Sequence, residues 1–227
     1  MLAVGLAGLL AVYVFIAYLM APLLWDRFSD HHPSLKDNPR LTETGDGHPG
    51  GPLNVALIGS EEQVREIFAA AKWYDAEALG LKSDLKIAVG TILKRPDPDA
   101  PVSKLYLFGR PEDLAFEQPV DGNPRQRNHV RFWKAEKPSS SGRTIWIGAA
   151  SYDERVGLSH TTGQVTHHIA PDVDKERDRL FEDLKATSEL SESYEVPGFQ
   201  TILRGRNGGG DPWYTDGALR VGIIAQD

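Results

Sequence analysis

The sequence predicts an α+β chain: an N-terminal transmembrane helix, then one domain with a largely antiparallel sheet and two or three packed helices. Three observations carry this. Residues Met1 to Trp25 contain no charged side chain, and every Asp, Glu, Lys, Arg and His follows them. Beyond residue 53, short apolar runs alternate with turns rich in Gly, Pro, Ser and Asn. Only a few segments repeat their apolar residues at helical spacing.

The opening run would rise about 37 Å as an α-helix, against a hydrocarbon core of about 30 Å. Nothing basic precedes it, it is too long for a signal-peptide core, and Tyr18, Leu19, Met20 and Trp25 are poor neighbours for a cleavage site. A retained single-pass anchor at residues 1–25 is therefore expected, placing the chain in a cell membrane. Arg27, Lys36 and Arg40 follow the helix and lean the body toward the cytoplasm, but three charges leave the side open.

Residues 26–52 interrupt a polar run with Pro33, Pro39, Pro49 and Pro52 and four glycines, which reads as a linker or an irregular segment lying over the domain. Its His31, His32 and His48 read as solvated. The globular domain is assigned to residues 53–227. It opens with a buried strand, Leu53 to Ile58, followed by a capping-box helix start at Ser60 and Gln63. Glu61 and Glu62 in the first turn would repel an anion there, so no phosphate cradle is read.

A second helix is expected from about Ser83 to just before Pro96. Strands follow at Lys104–Gly109, Leu114–Gln118, His129–Lys134 and Thr144–Ala150, paired antiparallel with their neighbours. A third helix should run from Asp172 or Asp174 to Thr187. Asp216-Gly217 reads as a hairpin turn feeding a last strand, Ala218 to Ala225.

Composition narrows the chemistry. With 25 Lys+Arg against 32 Asp+Glu, the net charge of −7 argues against a nucleic-acid partner. The chain has no cysteine, so disulfides, thiolate catalysis and Cys-ligated zinc are excluded.

Several motifs occur in series: Ala100-Pro101-Val102-Ser103 before Leu105-Tyr106-Leu107-Phe108-Gly109-Arg110, then Asp113-Leu114-Ala115-Phe116-Glu117. Pro124-Arg125-Gln126-Arg127-Asn128-His129-Val130-Arg131-Phe132-Trp133 follows, then Ile147-Gly148-Ala149-Ala150, then His167-His168-Ile169 through Asp172, Asp174 and Glu176-Arg177-Asp178. This series resembles the LssY C-terminal domain family over roughly Leu53 to Asp227. The resemblance implies association with membranes, because such domains occur attached to membrane proteins, lipid-phosphatase-like ones among them. It assigns no catalytic residue, and the membrane-embedded phosphatase motifs of those fusion partners are absent.

Two clusters are candidate sites. The basic one comprises Arg110, Arg125, Arg127, His129 and Arg131. On a strand Arg127, His129, Arg131 and Trp133 share one face while Val130 and Phe132 face the core, so the row reads either as an anion clamp or as a face whose arginines pair with carboxylates. The second comprises His160, His167, His168, Asp172 and Asp174, candidate general bases or ligands for a divalent metal such as Zn, Mn or Fe. His167 and His168 should face opposite sides of a strand. Arg177 lies in the apolar row of the third helix and needs a carboxylate or a bound anion as partner. Asp172 and Asp174 also suit helix capping. The loop Asn207-Gly208-Gly209-Gly210-Asp211 would bend freely around a ligand and is equally a loose hairpin connection.

Two functions are compatible with these residues. One is a membrane-tethered accessory or binding module for a polar or anionic ligand of envelope or lipid origin. The other is a hydrolase or transferase acting on a phosphate- or acyl-bearing substrate, with a histidine base and arginines that stabilise charge.

Overall fold

Strand alternation sends apolar side chains to both faces of one eight-stranded sheet, and this decides the architecture. The computed structural model describes residues 2–24, 35, 37–76, 104–120, 123–139, 141–161, 163 and 165–226. The helix expected between Ser83 and Pro96 lies outside the described residues.

Strands β1 (Leu41–Thr44) and β2 (Pro49–Pro52) come first, then β3 (Val55–Ile58) and helix α2 (Glu61–Ala70), the helix α1 being the N-terminal one described below. The capping box forms as expected: the Ser60 hydroxyl accepts from the Gln63 N–H, and the Gln63 side chain accepts from the Ser60 N–H. After β4 (Tyr74–Asp75) come β5 (Leu105–Leu107), β6 (Arg110–Pro111), β7 (Leu114–Val120), β8 (Asn123–Lys134), β9 (Ile145–Leu158) and β10 (Val165–Ile169). Helix α3 (Val173–Ala186), β11 (Leu190–Val196), β12 (Arg204–Arg206), β13 (Pro212–Tyr214) and β14 (Leu219–Ile224) complete the chain.

The large sheet runs β11-β14-β3-β9-β8-β7-β4, with β10 paired to the far half of β9. All its pairs are antiparallel except β14 against β3. The last strand is therefore not the second arm of a hairpin after Asp216-Gly217. It inserts between β11 and β3, because Leu219, Val221 and Ile223 find an apolar layer there.

One face of the sheet packs against both helices: Val130 and Phe132 meet Phe68 of α2 and Leu180 and Phe181 of α3. Phe68 stacks on Phe116 with centroids 4.1 Å apart and meets Phe132 edge-on. On the opposite face Trp133, Ile147 and Leu219 form a second core with Leu35, Leu107 and Phe199. The face bearing Arg127, His129 and Arg131 is thus continuous with a core, and Trp133 on it is fully buried.

The expected linker is shorter than residues 26–52. Its second half forms β1 and β2, which join β5 and β6 in a four-stranded sheet. Leu35 and Thr42 are buried, and the Leu53 N–H donates to the Arg40 carbonyl. Proline and glycine suit this edge position, since β2 (Pro49-Gly50-Gly51-Pro52) pairs on one side only and lies against Thr42.

At the N-terminus the single α-helix expected over residues 1–25 is divided. Helix α1 covers Leu2–Phe15, a π-helical turn covers Ile16–Met20, and α-helical turns resume through Leu24. The cause is Pro22: it has no N–H, and its ring crowds the carbonyl four residues back, at Tyr18. The turn widens and the Ala21 N–H bonds to the Ile16 carbonyl. No helix among the described residues is long and apolar enough to cross a membrane.

Candidate functional site

The arginine row of β8 faces carboxylates. Cross-strand register sets Arg127 opposite Asp153 of β9, and Glu117 of β7 opposite His129. Arg127 Nη1 lies 2.7 Å from Glu117 Oε2 and its Nε 2.9 Å from Asp153 Oδ2. Arg131 Nε lies 3.3 Å from Glu112 Oε1. His167 of β10 reaches the same group, with Nδ1 3.6 Å from Asp153 Oδ2, beyond hydrogen-bond range. Three carboxylates thus meet two guanidiniums around His129 and His167. This row is not a set of free cations.

Burial, then the charges of Arg131, Arg127 and His167, hold His129 well below the usual imidazole range. Burial likewise lowers His167, with Asp153 opposing. The Glu117 carboxyl is pushed up by burial and by Asp153, against the pull of Arg127. Two buried atoms in this group, Glu112 Oε2 and His167 Nδ1, have no hydrogen-bond partner among the described residues.

A neutral, buried His129 has a consequence for acid stability. Below its ordinary pKa of about 6.5 the unfolded chain takes up a proton that the fold refuses, so stability falls by about 1.4 kcal/mol per pH unit from this group. His129→Gln is expected to remove that slope, so that between pH 6.5 and 5 the variant loses about 1–2 kcal/mol less than the parent. Urea midpoints at the two pH values read this directly.

The second group forms where the turn after β9 meets the loop between β12 and β13. His168 of β10 points away from His167, as strand alternation requires, and its Nδ1 lies 2.6 Å from Asp211 Oδ1. His160 Nε2 lies 3.9 Å from the same oxygen, and the two imidazole centroids are 5.2 Å apart. His168 and Asp211 are buried, whereas the His160 side chain is 60% exposed.

A backbone bond brings the two segments together, the His160 N–H donating to the Gly209 carbonyl at 2.9 Å, and within the loop the Asp211 N–H donates to Asn207 Oδ1 at 2.8 Å. Glycine is needed at 210, where φ is +88° and a Cβ would sit 2.8 Å from that of His160. Gly157 plays a similar part on β9: a Cβ there would lie 2.7 Å from His168 Nε2.

A family model described as LssY C-terminus matches residues 35–219. The chain belongs to the LssY C-terminus family. No curated protein and no solved structure matches it. The matched span of this LssY C-terminus domain opens at Leu35, the buried residue ahead of β1, which agrees with a domain that begins before residue 53.

Four of the remaining sequence candidates of the LssY C-terminus domain have partners of their own. Arg110 pairs with Asp113 at 2.8 Å and donates to the Lys134 carbonyl. Arg125 belongs to β8, but its side chain is outside what is described. Arg177 is buried, with Nη1 2.8 Å from Asp216 Oδ1 and Nε 2.9 Å from Asp178 Oδ1. Asp174 accepts from the Thr215 hydroxyl at 2.7 Å and from the Asp216 N–H. Asp172 is the N-cap of α3, makes no side-chain cap bond, and lies 3.4 Å from Lys175.

Sequence reasoning missed Glu112, Glu117, Asp153 and Asp211 as site members. The acidic residues on β7 and β9 could have been found as same-face partners of the arginine row. Asp211 had only its triple glycine as a signal. A cleft lined by Ile58, Arg143, Ser191 and Glu192 contains none of these groups.

Proposed function

We propose that the chain is a membrane-tethered accessory or binding module whose domain recognises a polar ligand of envelope or lipid origin. The observation that carries this is the helical run from Leu2 to Leu24, 23 residues without one charge. Its large apolar side chains are uncovered on every side: Leu6, Leu9, Leu10, Tyr13, Ile16, Tyr18 and Leu23 are all more than half exposed. Such a surface in water is costly, and a helix apolar all round fits lipid. A π turn interrupts the hydrogen-bond ladder yet leaves Phe15 and Ala21 in right-handed helical geometry. Taken whole, the run rises about 34 Å, which suffices for a hydrocarbon core of about 30 Å.

The ligand part of the reading is supported by the buried group on β7, β8, β9 and β10. Orphaned buried atoms are uncommon, and Glu112 Oε2 with His167 Nδ1 offers an acceptor and a nitrogen to a polar partner. An anion would have to compete with Glu117, Asp153 and Glu112 for the arginines, so a hydroxyl-bearing ligand fits better than a highly charged one.

The tether is tested by fractionating the full chain and a Leu10→Arg/Ile16→Arg variant. Each arginine costs about 2.5–3.5 kcal/mol at a helix centre in lipid. The parent should stay with membranes through alkaline carbonate washing, and the variant should shift to the soluble fraction. A parent released by carbonate would end the proposal.

A second reading, hydrolase or transferase, is favoured by one observation: the Asp211 carboxylate holds His168 Nδ1 at 2.6 Å, the arrangement that orients an imidazole base. His168→Ala would then abolish turnover of a phosphate- or acyl-bearing substrate while leaving its binding intact.

A further inference from the structure

The geometry points to a divalent transition-metal site made by His160, His168 and Asp211, a set that chain order does not suggest. The inference is independent of the tether and of the polar ligand. Its ligand atoms, one from each residue, lie within 4.8 Å of one another. That fits donors about 2.0–2.2 Å from a common centre, with small adjustments of the carboxylate.

The two oxygens of Asp211 are divided between different tasks. Oδ2 is held from behind by the Ile169 N–H at 3.4 Å and by Asn207 Nδ2 at 3.4 Å. Oδ1 is left to face two imidazoles, at 2.6 Å from His168 and 3.9 Å from His160. Support of a carboxylate by outer partners is how metal ligands are oriented.

A plain buried ion pair would explain one histidine on Asp211. It does not explain why a second, largely exposed imidazole is brought to the same oxygen by a backbone bond and an obligatory glycine at 210. A cation between the three donors explains both.

Two nitrogens and one carboxylate oxygen select the ion class. Calcium and magnesium prefer sites made of oxygen alone, whereas imidazole suits zinc, iron, cobalt and their neighbours. Three protein ligands leave at least one position for water or another ligand, and the exposed side of His160 gives it access to solvent.

The test is Zn2+ and Co2+ titration of the full chain in detergent micelles after chelator treatment, with His160→Ala as the main variant. Because the His160 ring is mostly exposed, this variant should keep the melting temperature of the metal-free parent. We expect one ion bound per chain, a melting temperature that rises with added ion, and at least a tenfold loss of affinity in His160→Ala. Asp211→Asn, which keeps the side-chain shape, should behave likewise, and Co2+ should report mixed nitrogen and oxygen ligation in its visible spectrum. His31, His32 and His48 offer imidazoles elsewhere in the chain, so binding that survives in both variants would overturn the site. So would a parent that holds no ion and shows no thermal shift.

Discussion

Replacing Arg177 with methionine is expected to destabilise the fold by about 3 kcal/mol, near the lower end for breaking a buried ion pair. The guanidinium is 3% exposed and contacts Asp216 through Nη1 and Nη2, at 2.8 and 3.0 Å, and Asp178 through Nε and the same Nη2, at 2.9 and 3.3 Å. Nη1 also lies 3.3 Å from Asp174 Oδ1 and 3.3 Å from the Ala218 carbonyl oxygen. Methionine would fill much of the volume and take the guanidinium away from all of these acceptors, leaving Asp178 with Arg220, Asp216 with the Ala218 N–H, and Asp174 with the Thr215 hydroxyl and the Asp216 N–H. The cost stays at the low end because the Asp216 and Asp178 side chains are about half exposed and can turn to water, whereas Asp174 cannot. Urea unfolding measures the loss. A change below about 1 kcal/mol, the scale of an exposed pair, would mean that water already screens the cluster. Arg177 thereby ties α3 to the segment before β14, and its guanidinium is engaged structurally rather than left to a ligand.

Glu176→Gln is expected to raise stability at alkaline pH, by about 3 kcal/mol or more at pH 8. Glu176 is 3% exposed on the sheet side of α3, and burial above all pushes its carboxyl up to about 9, with Asp183 and Asp153 adding and Arg179 opposing. The fold keeps a proton that the unfolded chain releases above its ordinary pKa of about 4.3. Stability from this group is therefore full in acid and falls by about 1.4 kcal/mol per pH unit until the folded carboxyl ionises near 9. Glutamine resembles the protonated acid and does not titrate. Its amide can also keep the contact with Asn128, whose side-chain nitrogen, with the amide oriented by its hydrogen-bond partners, lies 3.1 Å from Glu176 Oε2. Parent and variant should unfold at similar urea concentrations at pH 4 and diverge by pH 8. Parallel curves across that range would show that the carboxylate is charged in the fold.

His129 and Glu176 act in opposite senses. The imidazole lowers stability below about pH 6.5 and the carboxyl lowers it above about pH 4.3, so the two slopes offset each other between those values and the pair costs least there. Both lie at the sheet, one on each face, and neither is exposed enough for water to relieve it.

Strand alternation decided a good part of the candidate site in advance. The shared face of Arg127, His129, Arg131 and Trp133, and the opposed directions of His167 and His168, are local consequences of a period of two and hold in any sheet. Helix starts at Ser60 and Asp172, the place of Arg177 in an apolar row, and adjacent antiparallel pairing from β7 to β9 are equally local; the expected pairing of the Lys104–Gly109 strand with β7 does not form, because β5 joins β1 and β6 instead.

What the sequence could not determine is which surfaces meet. The same residues are compatible with an arginine row that faces water, and only the second core, with Trp133 and Leu35 in it, makes that face an interior one where carboxylates must accompany the cations. The pairing of β14 with β3 joins segments about 165 residues apart, and no local propensity encodes such a contact. Asp211 likewise meets His168 across 43 residues of chain, because a glycine loop can approach His160 where a side chain would collide. The N-terminal run shows the division most plainly: its lack of charge is written in the residues, whereas the widened turn before Pro22 follows from one missing donor within a helix that the apolar pattern alone describes as continuous. Local periodicity determined the elements and the faces of their side chains. Long-range packing decided which faces are dry, and with that which polar groups had to find one another.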